Sequence, residues 1–190
     1  MSEIAIIYNP VSTGDSEINA QRLYKQLLRD CYSVSLIPTR FKKHAEQLAK
    51  ELCETHRSLL IVSASGDGGY HEVINGVLQS GNKNAVSVVL PSGNANDHAR
   101  CTQHADVYEL IRSNKPTKID LLRVSLQHGT HSEIVYAHSY CGIGITPQVA
   151  IDLNSNNVNA VTEKMLVGKN IVNAKPVTIK RRKRRKRYDS

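Results

Sequence analysis

The sequence predicts an α/β fold: a three-layer domain in which a parallel sheet is covered by helices on both faces. Short β-branched segments alternate with segments whose apolar residues recur at helical spacing, which is typical of βαβ units. With 190 residues, 40% of them hydrophobic and 22% charged, the chain can bury a sizeable core, and this composition excludes a disordered protein.

The first βα unit has clear boundaries. Residues 4–8 form an apolar run that predicts a strand, and this run ends at Asn9 and Pro10. Residues 16–29 carry apolar side chains at helical spacing, and Asp15 or Ser16 is a suitable N-cap. The same alternation continues along the chain. It predicts strands at 33–37, 59–63 and 86–90 and helices at 44–53 and 72–78.

The pattern changes after Pro116. Residues 118–125 and 132–138 are strand-like and are joined by the turn-forming segment 127–130, which predicts an antiparallel hairpin. We also expect a short helix within 148–170 and a strand at 177–179. The predicted organisation is an α/β nucleotide-binding domain at 1–115, a partial β-rich second domain at 116–179 and a basic tail at 180–190.

The positive charge of the protein is concentrated in its tail. The net charge is +8, and residues 180–187 are eight consecutive Lys or Arg residues. The rest of the chain is therefore close to neutral. A solvated end, binding to an anionic membrane and non-specific binding to nucleic acid all fit such a run, and the membrane ranks above nucleic acid only because of the family resemblance described below.

The sequence indicates a cytoplasmic protein that could associate peripherally with a membrane. Its apolar runs are far shorter than the roughly 20 residues of a membrane span, and its first residues do not resemble a secretory signal. The four cysteines are widely spaced, without a C-x-x-C pair, which predicts free and mostly buried thiols in a reducing compartment. The oligomeric state stays open.

Two glycine-bearing loops are candidates for phosphate binding. Residues 65–69 (Ser-Gly-Asp-Gly-Gly) follow the third strand, and residues 91–97 (Pro-Ser-Gly-Asn-Ala-Asn-Asp) follow the fourth. Open α/β sheets bind ligands at the carboxyl ends of their strands, and helix N-termini favour anions. Glycine would allow close approach of a phosphate or a positive φ. A simple turn and an ordinary helix cap are the alternatives for the two loops. A Walker A motif is absent from the sequence.

Together, these segments resemble the catalytic region of the diacylglycerol kinase family, which includes bacterial lipid kinases and sphingosine kinases. Asn9-Pro-Val-Ser12 is similar to the family's N-P-x-S-G turn. Residues 65–76 are similar to G-G-D-G-T-x-x-E-V-x-N-G, and residues 91–100 to P-x-G-T-x-N-D-x-A-R. Residues 119–121, followed by 139–144, resemble the entry to the family's β-sandwich domain.

The resemblance implies transfer of the γ-phosphate of ATP, with Mg²⁺, to the hydroxyl of a lipid such as diacylglycerol at a membrane surface. The nucleotide would lie in a cleft between the two domains. The residues implied in nucleotide binding are Asn9, Ser12, Thr13, Thr39, Ser65, Gly66, Asp67, Gly68, Gly69, Gly93 and Asn94. Those implied in loop support or linked to Mg²⁺ are Glu72, Asn75, Asn96 and Asp97, and Asp67 and Asp97 are the candidate metal ligands.

The chain also departs from the family pattern. Ser65 replaces the first glycine, Gly69 replaces the threonine of the same motif, and Asn94 replaces the threonine of the next. The family's general base and its Mg²⁺ ligands lie further downstream than this chain extends, so no catalytic residue is assigned. We expect His71 and His98 to be partly exposed helix residues rather than bases. The alternative function is a non-catalytic, nucleotide-binding, membrane-associated module.

Overall fold

A computed structural model describes residues 3–12 and 15–142, and Met1–Tyr140 form one compact unit. Within the described residues, four parallel strands form one sheet in the order β2-β1-β3-β4. These strands are β1 (Glu3–Tyr8), β2 (Val34–Pro38), β3 (Leu59–Ser65) and β4 (Val86–Pro91). The helices are α1 (Ser16–Arg29), α2 (His44–Thr55), α3 (Asp67–Ser80), α4 (Asp97–Thr102) and α5 (Val107–Ser113).

Helices cover both faces of the sheet. In β1, Ile4 and Ile6 point into one core cluster, and the alternate residues Ala5 and Ile7 point into the other. The first cluster is completed by residues of α1 and α5, and the second by residues of α2 and α3. This alternation follows from the period of two of a β-strand. The predicted three-layer α/β fold is therefore confirmed.

The helices differ from the prediction in three places. Helix α3 begins at Asp67 and not at residue 72, because the glycine-rich loop forms the first turn of the helix, with Gly66 as its N-cap. Helices α4 and α5 were not predicted. A signal was present for α5, since the side chain of Asp106 accepts a hydrogen bond from the backbone N–H of Glu109 at 2.9 Å, as an N-cap does.

A hairpin follows the parallel sheet. Strands β5 (Leu122–His128) and β6 (His131–Ala137) pair antiparallel, as predicted, although β5 begins four residues later than expected. The turn between them contains Gly129 with φ 57°, a conformation that glycine adopts easily. The boundary near residue 115 stays a prediction. The predicted helix within 148–170, the strand at 177–179 and the basic tail lie outside the described residues.

The hairpin is joined to α3 through Asn75. The side chain of this residue is buried, and its amide makes two hydrogen bonds of 2.9 Å with the backbone N–H and carbonyl of Tyr136 in β6. The amide therefore pairs with the backbone of β6 much as a neighbouring strand would. Asn75 therefore holds β6 against α3. The loop-support or Mg²⁺-linked role implied for it stays a prediction.

The cysteines are free, as expected, but they are not mostly buried. Cys53 lies in the core, whereas Cys31, Cys101 and Cys141 are exposed. The difference arises because these three occupy the turn after α1, the outer face of the short α4 and the segment after β6. Among the described residues, no helix combines the length and the apolar character that a membrane span requires.

Candidate functional site

A cleft lies where the connections between the strands diverge from β1. The chain leaves β1 to form β2 on one side and later returns to place β3 on the other side of β1. Connections that diverge in this way leave a crevice at the carboxyl ends of the strands. The crevice is a cleft of about 650 Å³. Its lining includes Asn9, Thr39, Ser65, Gly69 and Glu72, which the sequence had singled out.

The turn after β1 is fixed to the neighbouring strand through Ser16. The fully buried hydroxyl of Ser16 accepts the backbone N–H of Asn9 at 3.2 Å and donates to the carbonyl of Ala64 in β3. The side chain of Asn9 accepts the N–H of Val11 at 3.1 Å, which closes the turn locally. The backbone N–H of Ser12 donates to the carbonyl of Asn9. Thr13 lies outside the described residues.

The segment after β2 forms a basic and aromatic edge of the cleft. The N–H of Thr39 donates to the carbonyl of Tyr8 at 2.8 Å, which holds Thr39 beside the end of β1. Arg40, Phe41 and Lys42 also line the cleft, although they were not predicted as site residues. Their signal in the sequence is a basic run directly after a predicted strand. Two exposed cations at the cleft suit a polyphosphate ligand.

The exposed aromatic ring on this edge is held in place by its neighbour. Phe41 is 58% exposed, and its ring lies 4.3 Å from the ring of His44, measured between centroids. Nδ1 of His44 accepts the backbone N–H of Arg40 at 3.0 Å, so the short connection before α2 has a defined shape. The cleft therefore combines a structured aromatic surface with nearby positive charge.

Asp67 connects the two glycine-bearing loops. Its two carboxylate oxygens accept the backbone N–H groups of Asp97 and His98, each at 3.0 Å. These N–H groups belong to the first turn of α4, whose own N-cap residue, Asn96, makes no side-chain capping bond. A carboxylate at a helix N-terminus also interacts favourably with the helix dipole. Asp67 thus caps a helix that begins 30 residues further along the chain.

The environment of Asp67 favours its ionised form. Partial burial by itself raises the pKa of the carboxyl group. The hydrogen bonds from the N–H groups of His98 and Asp97, together with the charge of His138, outweigh burial, so that the pKa is lowered from its ordinary value. Asp67 is therefore a carboxylate at neutral pH, and its capping bonds are charge-assisted.

The loops meet at two glycines that lie back to back. A Cβ atom at Gly93 would lie 2.5 Å from the Cα of Gly66, and a Cβ at Gly66 would lie 3.1 Å from the Cα of Gly93. The side-chain amide of Asn96 braces this junction. Its oxygen accepts the N–H of Gly93 at 3.0 Å, and its nitrogen donates to the carbonyl of Gly93 at 2.6 Å.

This geometry corrects one of the two reasons expected for the glycines, a positive φ, whereas close approach of a phosphate stays a prediction. Positive φ values among the described glycines occur at Gly81 and Gly129, and not in either loop. Gly66 and Gly93 are instead required by the contact between the loops. Gly68 is exposed, and a Cβ there would meet no atom within 4 Å. Asn94 is also exposed and is not among the residues that line the cleft.

Glu72 supports the cleft from α3. Its carboxylate accepts the backbone N–H of Lys43 at 3.1 Å. Lys43 precedes α2 and has a left-handed conformation, with φ 66°. The hydrogen bond therefore connects α3 with the end of the basic edge. The loop-support role implied for Glu72 stays a prediction.

A smaller pocket of about 90 Å³ is lined in part by Asp67, His71 and His138. The prediction for His98 was wrong: it is 6% exposed, because its ring packs 4.8 Å from the rings of both Tyr70 and His138. Burial first, and then the charge of His138, lower the pKa values of His71 and His98. These histidines are therefore mainly neutral at pH 7.

The described residues suit a nucleotide better than they suit a metal ion bound by protein alone. A cleft of about 650 Å³ lies within the ordinary range for small-molecule sites, roughly 300–1,000 Å³. Within 3–12 and 15–142, no three or more His, Cys, Asp or Glu side chains group in a way that could hold a metal. Mg²⁺ commonly binds through substrate phosphates and one or two carboxylates. Asp67 and Asp97 as metal ligands stay a prediction.

Comparison with known proteins identifies the relatives of this chain. The family model described as "Diacylglycerol kinase catalytic domain" matches residues 3–124. The diacylglycerol kinase of Staphylococcus saprophyticus subsp. saprophyticus is 27% identical over 135 residues, which cover 65% of this chain and 41% of that protein. The diacylglycerol kinase of Staphylococcus epidermidis is 29% identical over 128 residues, which cover 61% of this chain and 38% of that protein.

Among solved structures, the chain is similar to the crystal structure of a diacylglycerol kinase from Bacillus anthracis str. Sterne. The TM-score is 0.49 at 19% sequence identity, covering 60% of this chain and 44% of that one. The chain thus spans about two fifths of the length of its relatives. The family match covers more than half of the 190 residues and contains both glycine-bearing loops and the strands that carry them. The chain therefore belongs to the diacylglycerol kinase catalytic domain family.

Proposed function

We propose that this chain binds Mg²⁺·ATP in the cleft at the carboxyl ends of β1, β2 and β3, as the nucleotide-binding part of an ATP-dependent lipid kinase. The acceptor would be the hydroxyl of diacylglycerol or a related lipid. The observation that carries the proposal is the convergence of four implied nucleotide-binding residues from separate segments on one cleft: Asn9, Thr39, Ser65 and Gly69.

The chemistry of the cleft supports this proposal. Phosphoryl transfer depends on positioned phosphates and on neutralisation of their charge more than on covalent chemistry. Arg40 and Lys42 would supply positive charge, and Gly69, in the first turn of α3, lines the same cleft. The N-terminal turn of a helix favours anions. Mg²⁺, when bound with the nucleotide, would neutralise the phosphates further.

Fewer of the described residues could act on the lipid hydroxyl that would accept the phosphate. Glu72 is the one carboxylate among the described residues that line the cleft, and it accepts the N–H of Lys43. A general base has to reach the hydroxyl that it deprotonates. Since the chain spans about two fifths of its relatives, a non-catalytic nucleotide-binding module is the second candidate function.

Calorimetry and a transfer assay on the same samples test the first proposal. We expect saturable binding of Mg²⁺·ATP and transfer of labelled γ-phosphate to diacylglycerol in mixed vesicles. Binding without transfer would favour the non-catalytic module, and absence of binding would contradict both. Replacing Arg40 and Lys42 together with serine should weaken binding about tenfold at low salt, because each exposed cation contributes roughly 0.7 kcal/mol toward a phosphate. The matched control replaces Lys25 and Arg29, which are exposed on α1, and should bind as the unaltered chain does.

We also propose that the basic tail attracts the protein to anionic membranes, where a lipid acceptor would be found. Eight consecutive basic residues at 180–187 could contribute about 1 kcal/mol each near a charged leaflet. Vesicles with 30% phosphatidylserine should co-sediment the full chain, whereas a variant with all eight residues changed to serine should stay in solution. Equal sedimentation of the two proteins, or stronger retention of the full chain by DNA than by vesicles at equal salt, would contradict this.

A further inference from the structure

Ser65 and Gly69 compete for the same space at the floor of the cleft. A Cβ atom at Gly69 would lie 2.6 Å from the Cβ of Ser65 and 2.7 Å from its Oγ. Contacts below 3.0 Å are essentially never seen for real Cβ atoms. The floor therefore accommodates a side chain at the end of β3 or one in the first turn of α3, but not both.

The hydroxyl of Ser65 is held in a short polar chain. Its Oγ lies 2.7 Å from the Oγ of Ser63, and it donates to the carbonyl of Gly66 at 3.0 Å. Both serines line the cleft, although only 9% of Ser65 is exposed. If the Ser63 hydroxyl donates to Ser65, the Ser65 proton is free to rotate from the Gly66 carbonyl toward an anionic oxygen in the cleft.

The family pattern has glycine at the position of Ser65 and threonine at the position of Gly69, so this chain carries the small residue and the hydroxyl in exchanged places. We propose that Ser65 and Gly69 are a compensating pair, in which the Ser65 hydroxyl supplies from the end of β3 the hydrogen bond to the nucleotide phosphates. This inference rests on the proposed function, since it names the phosphate contact of the same cleft. The two differences from the family motif would then be a single change, in which the hydroxyl moves from position 69 to position 65.

Comparing the affinities for ATP and adenosine distinguishes a phosphate contact of the Ser65 hydroxyl from a purely steric role of the Ser65 side chain. Ser65→Ala keeps the Cβ atom and removes only the hydroxyl. We expect Mg²⁺·ATP affinity to fall five- to tenfold, while adenosine affinity stays within twofold and the melting temperature changes little. A side chain that only fills space would leave both affinities nearly unchanged. Unchanged ATP affinity, or equal loss of ATP and adenosine affinity, would overturn the phosphate role of Ser65.

The exchange of the two residues tests the pair. Gly69→Thr alone should lower the melting temperature, because the new side chain collides with Ser65. The double variant Ser65→Gly, Gly69→Thr should recover most of that loss and also recover ATP affinity relative to Ser65→Ala. A double variant no more stable than Gly69→Thr would overturn the compensation. If the unaltered chain binds neither ATP nor adenosine, the proposed function and the phosphate role of Ser65 both fail. The melting temperatures would still test whether Ser65 and Gly69 compensate each other sterically.

Discussion

Asp67→Ala is expected to lower the free energy of unfolding by about 2 kcal/mol and to weaken Mg²⁺·ATP binding at least tenfold. The substitution leaves the backbone N–H groups of Asp97 and His98 without the acceptor that they have among the described residues, and α4 loses the cap that Asp67 provides. Loss of an N-cap costs about 0.5–2 kcal/mol, and loss of charge-assisted bonds lies at the upper end of such values. Urea denaturation and calorimetry measure the two effects.

Asp67→Asn is the matched variant. It keeps the shape of the side chain and one acceptor oxygen, so one of the two capping bonds survives. We expect roughly half of the stability loss and a smaller effect on binding. If Asp67→Ala unfolded at the same urea concentration as the unaltered chain, the capping of α4 by Asp67 would make no contribution, and the coupling of the two loops would need another explanation.

The contribution of Asp67 to stability should also depend on pH in one direction. Its pKa is lowered in the folded chain, so the unfolded chain binds the proton more tightly. The contribution is therefore fully present above the unfolded value, roughly 3.9, and is lost as pH falls through the lower folded value. The stability difference between the unaltered chain and Asp67→Ala should shrink only below about pH 4.

Gly93→Ala is expected to disrupt the same junction by steric means. Its Cβ would lie 2.5 Å from the Cα of Gly66, and backbone cannot yield as the end of a side chain can. Overpacking of this kind costs about 1–3 kcal/mol, and it would push the first turn of α3 away from the loop after β4. We expect a loss of about 2 kcal/mol in stability and at least a fivefold loss in Mg²⁺·ATP affinity, measured as for Asp67.

Gly68→Ala is the control for this substitution. It lies in the same motif, in the first turn of α3, where a Cβ would be in open space. Alanine favours the helix over glycine by about 0.5–1 kcal/mol, so this variant should be as stable as the unaltered chain or slightly more stable. If the two alanine variants behaved alike, the contact between Gly66 and Gly93 would not be what holds the loops together.

The fold could be predicted from sequence because its signals are local. The alternation of strands and helices, and the bounds of α1, follow from the spacing of apolar residues. The start of α3 could not be predicted in this way. Glycine has a low intrinsic helix propensity, so the Gly-Asp-Gly-Gly segment indicates a loop, and the tertiary contacts of its residues outweigh that preference.

The site was predictable in part for a similar reason. Short motifs identify which residues are special, and Asn9, Thr39 and Ser65 do line one cleft. Their partners depend on which loops come together in space. The bonds from Asp67 to α4 join residues 30 and 31 positions apart, and no local pattern specifies such a pairing. The steric coupling of Ser65 with Gly69 likewise requires the geometry of the turn from β3 into α3.

Amide chemical-shift mapping would locate the nucleotide on the chain residue by residue. Mg²⁺·ATP would be titrated into the isotopically labelled chain, with adenosine as the phosphate-free comparison. If the nucleotide binds in the cleft, we expect saturable shifts at the amides of Asn9, Thr39 and Gly69, with the shifts near Gly69 much larger for ATP than for adenosine. Shifts confined to residues outside the cleft, or no saturable shift at millimolar ATP, would contradict it.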